Sequence, residues 1–178
     1  MLSKVFIILA FFLIVLTQPT VVFSQEEPPT SSPMPILEVN SFEVFWPMVA
    51  GKTMQSRVYF IKTLKENIRG LFIFGAAQKA EYHTFLSTKR MLEAEVLIQA
   101  EDEVSADKTI EKASSLIESA KSGIDIAKNN GEIEKQVVDQ INIRVSNLKD
   151  YANWLKQKYP DYDQKLQDYL NQLNSISI

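Results

Sequence analysis

Residues 56–98 read SRVYFIKTLKENIRGLFIFGAAQKAEYHTFLSTKRMLEAEVLI, and the spacing of their apolar side chains decides the fold class. Phe60, Leu64, Ile68 and Leu71 recur at helical intervals ahead of a break at Gly75, and Tyr82, Phe85, Leu86, Leu92 and Val96 do so after it. The pattern predicts a helical hairpin whose two arms pack together by their apolar stripes. No run of alternating β-branched residues stands between turn signals anywhere in the chain, so no strand competes.

Toward the C-terminus the same logic continues. Ser105 is a candidate N-cap, and Ile110, Ala113, Ile117, Ala120, Ile124 and Ala127 follow at alternating steps of three and four, a heptad-like seam in which alanine permits close helix approach. Asn129-Asn130-Gly131 supplies residues that tolerate a left-handed turn. A fourth helix then carries Ile133, Val137, Ile141, Val145, Leu148, Ala152, Leu155 and Tyr159 until Pro160 stops it, and Asp161 with Gln164 resembles a capping box for a short last helix. The expected helices cover residues 58–71, 76–101, 106–129, 132–159 and 162–174. The fold class is all-α, a helical bundle of antiparallel hairpins with four main helices and a short C-terminal one. The seam is expected to face the fourth helix in a coiled-coil-like hairpin over residues 106–159.

Toward the N-terminus, one charge at Lys4 precedes an unbroken apolar run from Val5 to Leu16, with Val22 and Ser24 as small residues at a cleavage site. Residues 1–24 read as a signal peptide, because the run is shorter than the roughly 20 residues a spanning helix needs. An uncleaved anchor is the alternative, reached if Val21, Val22 and Phe23 extend the run. Either way the remainder is expected to be exported: extracellular, periplasmic or on the cell surface. Residues 25–41, with Pro28, Pro29, Pro33 and Pro35, form a spacer that lacks the apolar surface to fold. A helical domain over residues 42–178 follows, opened by an irregular segment whose Phe45 and Trp46 are expected to pack on the bundle.

Composition narrows the chemistry. The 178 residues contain no cysteine, which excludes disulfides, thiolate zinc sites and cysteine nucleophiles. Without the first 24 residues, which carry only Lys4, 18 basic side chains stand against 22 acidic ones, a balance that does not favour nucleic acid. His83 is the only histidine, with Lys79 and Ser87 at the helical positions where a second metal ligand would stand, so no metal or other cofactor is expected. No phosphate-binding loop, nucleophile elbow or zinc-protease motif occurs, and the chain does not read as an enzyme.

Polar residues nonetheless stand among the apolar ones of the hairpin. Glu81, Arg90 and Glu93 lie on the second arm, Lys89 and Glu93 are spaced to pair along the helix, and Glu66 of the first arm would come opposite Lys79 or Arg90 in an antiparallel pair. Glu66, Lys79, Glu81, Arg90 and Glu93 therefore form a candidate structural polar cluster, a register lock between the arms. A solvated charged face is the plainer alternative.

Trp46-Pro47-x-x-x-Gly51-Lys52, Tyr59-x-x-Lys62-x-x-Lys65-Glu66, Lys79-Ala80-Glu81-Tyr82-His83 and Lys89-Arg90-x-x-Glu93-Ala94-Glu95 together resemble an uncharacterised bacterial family, domain of unknown function number five-six-six-seven. Ala50 departs from the proline expected there. The resemblance covers residues 46–101 and implies an exported or membrane-attached bacterial protein, with no activity attached. The expected role is an exported, non-catalytic structural or interaction module of the bacterial cell envelope. Its partner would be an unknown protein or a second copy, with a membrane involved only if the N-terminal segment stays uncleaved. The alternative is an extracytoplasmic sensor of a ligand or metal.

Overall fold

Small side chains on two long helices meet face to face, and that contact is the centre of the fold. It is seen in a computed structural model describing residues 44–45, 48–54, 56 and 58–176; the expected signal peptide and spacer, with Trp46 and Pro47, lie outside them. Every named element among the described residues is helical. α1 (Tyr59–Leu71), α2 (Ala76–Gln99), α3 (Glu103–Asn130) and α4 (Lys135–Lys158) are the main helices, and α5 (Asp163–Asn174) is the short last one.

The α2/α3 pair is the main antiparallel hairpin. Ala77, Ala80, Ser87 and Ala94 on α2 and Ala106, Ala113, Ala120 and Ala127 on α3 are all buried. Gly123 sets the closest approach: a β-carbon there would stand 3.0 Å from the Ala76 carbonyl oxygen and 3.1 Å from the Ala80 β-carbon. Backbones this close leave polar side chains in the seam short of water, and Ser87 is satisfied by donating to the Ala113 carbonyl at 2.9 Å and by bonding the Tyr169 hydroxyl at 2.8 Å. The hairpin turns within Ala100–Asp102, where Glu101 takes a positive φ of 58°. Asp102, not Ser105, is the N-cap, since its carboxylate accepts from the Ser105 backbone N–H at 3.1 Å.

The seam of α3 is thus internal, as its periodicity implies, but it packs chiefly on α2 rather than on the fourth helix. Ile110, Ile117 and Ile124 are all buried there. α4 instead forms a second antiparallel hairpin with α5 across a 3₁₀ turn, Pro160–Tyr162, and also lies against α2. The neighbours close into a ring of α2, α3, α5 and α4. Its interior holds Tyr151 and Tyr169, both fully buried, and the stripe Ile141, Val145, Leu148 and Leu155. Phe45 packs edge-on against Tyr151 with ring centroids 5.2 Å apart, which fits the expected docking of Phe45 on the bundle. The Asp161–Gln164 capping box does not form. The 3₁₀ turn runs directly into α5, Tyr162 takes the cap position without a side-chain bond, and Gln164 donates to Asp168 at 3.2 Å.

α1 stands outside the ring, joined to α2 by a short turn at whose end Gly75 adopts φ 94°. It does not pack by its apolar stripe. Glu66 is the single buried residue of the helix.

Candidate functional site

α2 explains why α1 is turned round. Two faces of α2 are already covered by α3 and α4, and the face left for α1 carries Lys89, Arg90 and Glu93. A helix docking there has to answer charge with charge, because burying unpaired ions among apolar groups costs several kcal/mol each. α1 therefore presents its charged side, and its apolar arc faces solvent.

The resulting cluster is buried. Glu93 is 0% exposed, Arg90 3% and Glu66 9%, far from the solvated face that was the alternative. Arg90 forks onto Glu93, donating to Oε1 at 2.8 Å and Oε2 at 2.7 Å, and its other terminal nitrogen donates to Glu66 Oε2. Lys89 donates to Glu66 Oε1 at 3.0 Å, and Lys62 donates both to Glu93 Oε1 and to the Lys52 carbonyl at 2.9 Å. Every carboxylate oxygen of Glu66 and Glu93 thus accepts from a cation. The Tyr82 hydroxyl adds a bond of 2.9 Å to the Glu66 carbonyl, and the Arg90 guanidinium sits 5.6 Å from the Tyr59 ring centroid. Burial works against the charge on Arg90, but Glu93 and Glu66 outweigh it and hold its pKa above the ordinary value. For Lys62 burial wins, and its pKa lies below the ordinary value despite the bond to Glu93.

Three of the five expected cluster residues, Glu66, Arg90 and Glu93, come together. Glu81 does not join them; it pairs at 2.5 Å with Arg144 on α4. Lys79 makes no ion pair with Glu66 and instead lines a neighbouring cleft of about 550 Å³ with His83, Asn67 and Lys112. Burial, then Lys79, lowers the His83 pKa. Lys62 and Lys89 are the members that the sequence reading left out. Lys89 is spaced to meet Glu93 along α2 but reaches across to Glu66, which heptad arithmetic on a single helix does not reveal. No three acidic or histidine side chains converge as a metal set among the described residues.

The outer side of α1 is the other half of the site. Phe60 is 65% exposed, Leu71 76% and, just past the helix, Phe74 81%; Ile61, Leu64, Ile68 and Phe72 are exposed as well. At about 1.5–3 kcal/mol for each large apolar side chain that burial would stabilise, the face forgoes on the order of 10 kcal/mol. Contiguous apolar surface of this kind makes the outer side of α1 a candidate docking face.

The cluster and the outer face both fall within a recognised family region. The model of a family described as a domain of unknown function (DUF5667) matches residues 52–148, more than half of the chain. The chain is a member of that family. No curated protein and no solved structure matches it. The DUF5667 region takes in all of α1, α2 and α3 and the first part of α4, so it reaches well beyond residues 46–101, where the resemblance is legible by motif. α5 lies C-terminal to it, although Tyr169 and Leu166 of that helix complete the core.

Proposed function

We propose that the chain is an exported, non-catalytic interaction module of the bacterial cell envelope that offers the outer face of α1 to a partner. The observation that carries this reading is the orientation of α1: its charged side is clamped onto α2 and its large apolar side chains are left in solvent. Export rests on the sequence of residues 1–24, with its short apolar run and small-residue cleavage site. The saturation of Glu66 and Glu93 by cations favours a structural role for the cluster over proton transfer. No helix among the described residues is long and apolar enough to cross a membrane.

Fractionation of a bacterial host expressing the full chain tests the reading. Wild-type protein should remain with the envelope, and the Leu64→Glu/Ile68→Glu variant should be released with an unchanged helical circular-dichroism spectrum. Identical partitioning of the two would remove the outer face from the account.

The cleft favours a second reading. Lys79, Lys112, His83 and Arg90 line it among apolar walls from Tyr82, Leu86 and Leu116, a setting for a small anionic ligand. A rise in melting temperature with millimolar citrate, abolished by Lys79→Ala with Lys112→Ala, would support sensing; no rise would count against it.

A further inference from the structure

We infer that the occupant of the outer α1 face is an anionic lipid bilayer surface, an inference that rests on the reading of that face as the docking surface. Two independent observations point there. The first is shape: at 100° per residue Phe60, Leu71, Leu64, Ile68 and Ile61 fall within an arc of about 100°, and the apolar surface continues past the helix end through Phe72. This is the form of a helix that lies in the plane of a membrane with its apolar side at the acyl boundary.

The second is charge. Lys52, Lys65 and Arg69 are exposed along this stretch, with Lys62 paired to Glu93, and residues 52–74 hold one acid, Glu66, in a chain whose formal net charge is −3. Glu66 is the one acid that is turned inward and neutralised by Arg90 and Lys89, so α1 exposes no carboxylate. Lys65 is exposed and borders the apolar arc, and Arg69 is exposed one turn further on. A basic pole on an acidic protein, joined to an apolar face, matches anionic headgroups over hydrocarbon.

A second copy fits less well. Two α1 faces related by a twofold axis would cross antiparallel near the middle of the helix, bringing Lys65 against its own mate with no exposed carboxylate to offset it. The apolar arc likewise argues against nucleic acid, whose backbone offers nothing to bury it.

The test uses the absence of native cysteine. A solvatochromic dye is attached to Leu71→Cys in the full chain, and to Ile143→Cys, exposed on α4, as the control. Vesicles of phosphatidylcholine with about 30% phosphatidylglycerol should shift the Leu71→Cys emission to the blue and leave Ile143→Cys unchanged, while pure phosphatidylcholine should shift neither. Lys65→Glu, which has no ion pair to lose, should weaken the response roughly thirtyfold, since it changes the charge by two units at about 1 kcal/mol each near such a surface. The local dye separates α1 from any binding by residues 5–16. An unshifted dye at position 71 on vesicles that carry the protein down, or an equal shift with neutral lipid, overturns the inference. A vesicle-independent blue shift that grows with protein concentration assigns the face to a second copy, which overturns the bilayer and keeps the docking reading. A dye that stays in water under every condition, together with unchanged envelope partitioning of Leu64→Glu/Ile68→Glu, overturns both.

Discussion

Arg90→Ala probes the clamp that sets the direction of α1. The guanidinium is 3% exposed and bonds to two carboxylates that are 0% and 9% exposed, so its loss leaves Glu66 and Glu93 facing only Lys89 and Lys62 in a site sheltered from water. Removing one partner of a buried ion pair costs about 3–5 kcal/mol, and the two remaining lysines place this case near the lower end, at about 3 kcal/mol. That is a large share of the roughly 5–15 kcal/mol that keeps a domain folded. With a urea m-value of about 2 kcal/mol/M, the midpoint of unfolding followed by circular dichroism should fall by about 1.5 M. Combining it with Glu93→Ala in a double-mutant cycle should give a coupling of about 2 kcal/mol, because Glu93 no longer needs the partner it has lost. A midpoint loss worth less than about 1 kcal/mol, with coupling near zero, is the behaviour of a solvated pair and would refute the buried clamp.

Glu66→Ala should likewise cost more than the roughly 0–1 kcal/mol of a surface pair, measured by the same urea titration, since it strands Arg90 from one of its two carboxylates. Ile117→Asp, at a fully buried position of the α3 seam, should unfold the chain rather than produce a helical monomer of halved mass, which circular dichroism and light scattering distinguish. Gly123→Val should lower stability by about 1–3 kcal/mol in chemical denaturation, because its side chain meets the Ala76 carbonyl and Ala80. His83 has a folded-state pKa below its ordinary 6.5 because burial, and then Lys79, disfavour the imidazolium. Its contribution to stability is therefore complete above about pH 6.5 and is lost as pH falls through that value toward the lower folded pKa; melting curves between pH 7.5 and 5.5 should show this slope, and His83→Gln should flatten it. Mass spectrometry of the exported protein should find Gln25 at the N-terminus, whereas retained Met1 would mean an anchor.

The helices were legible because local chemistry specifies them. Gly75, Gly131 and Pro160 each stand where a helix is interrupted or has just ended, and the stretches between them carry three-and-four spacing that survives in the structure to within a few residues. Glu66, Arg90 and Glu93 were legible as charges set among apolar neighbours. What single-helix patterns do not carry is the choice of neighbour. Alanine on α2 matches alanine on α3, a complementarity between two helices that moves each hairpin partner one helix along from the expected pairing. The same limit hid the outward turn of α1, because Phe60, Leu64, Ile68 and Leu71 form an apolar stripe that on its own terms should be buried. Only the charged face that α2 has left over decides against it.

Thiol accessibility along α1 tests the central claim most directly, since the chain has no cysteine to interfere. Leu64→Cys and Ile68→Cys, in separate full-length variants at submicromolar concentration without lipid, should react with a maleimide as fast as the unfolded chain does, while Ile117→Cys in the α3 seam stays protected. Protection of positions 64 and 68 by tenfold or more would mean that α1 packs by its apolar stripe after all, and would contradict both the clamp and the exposed face.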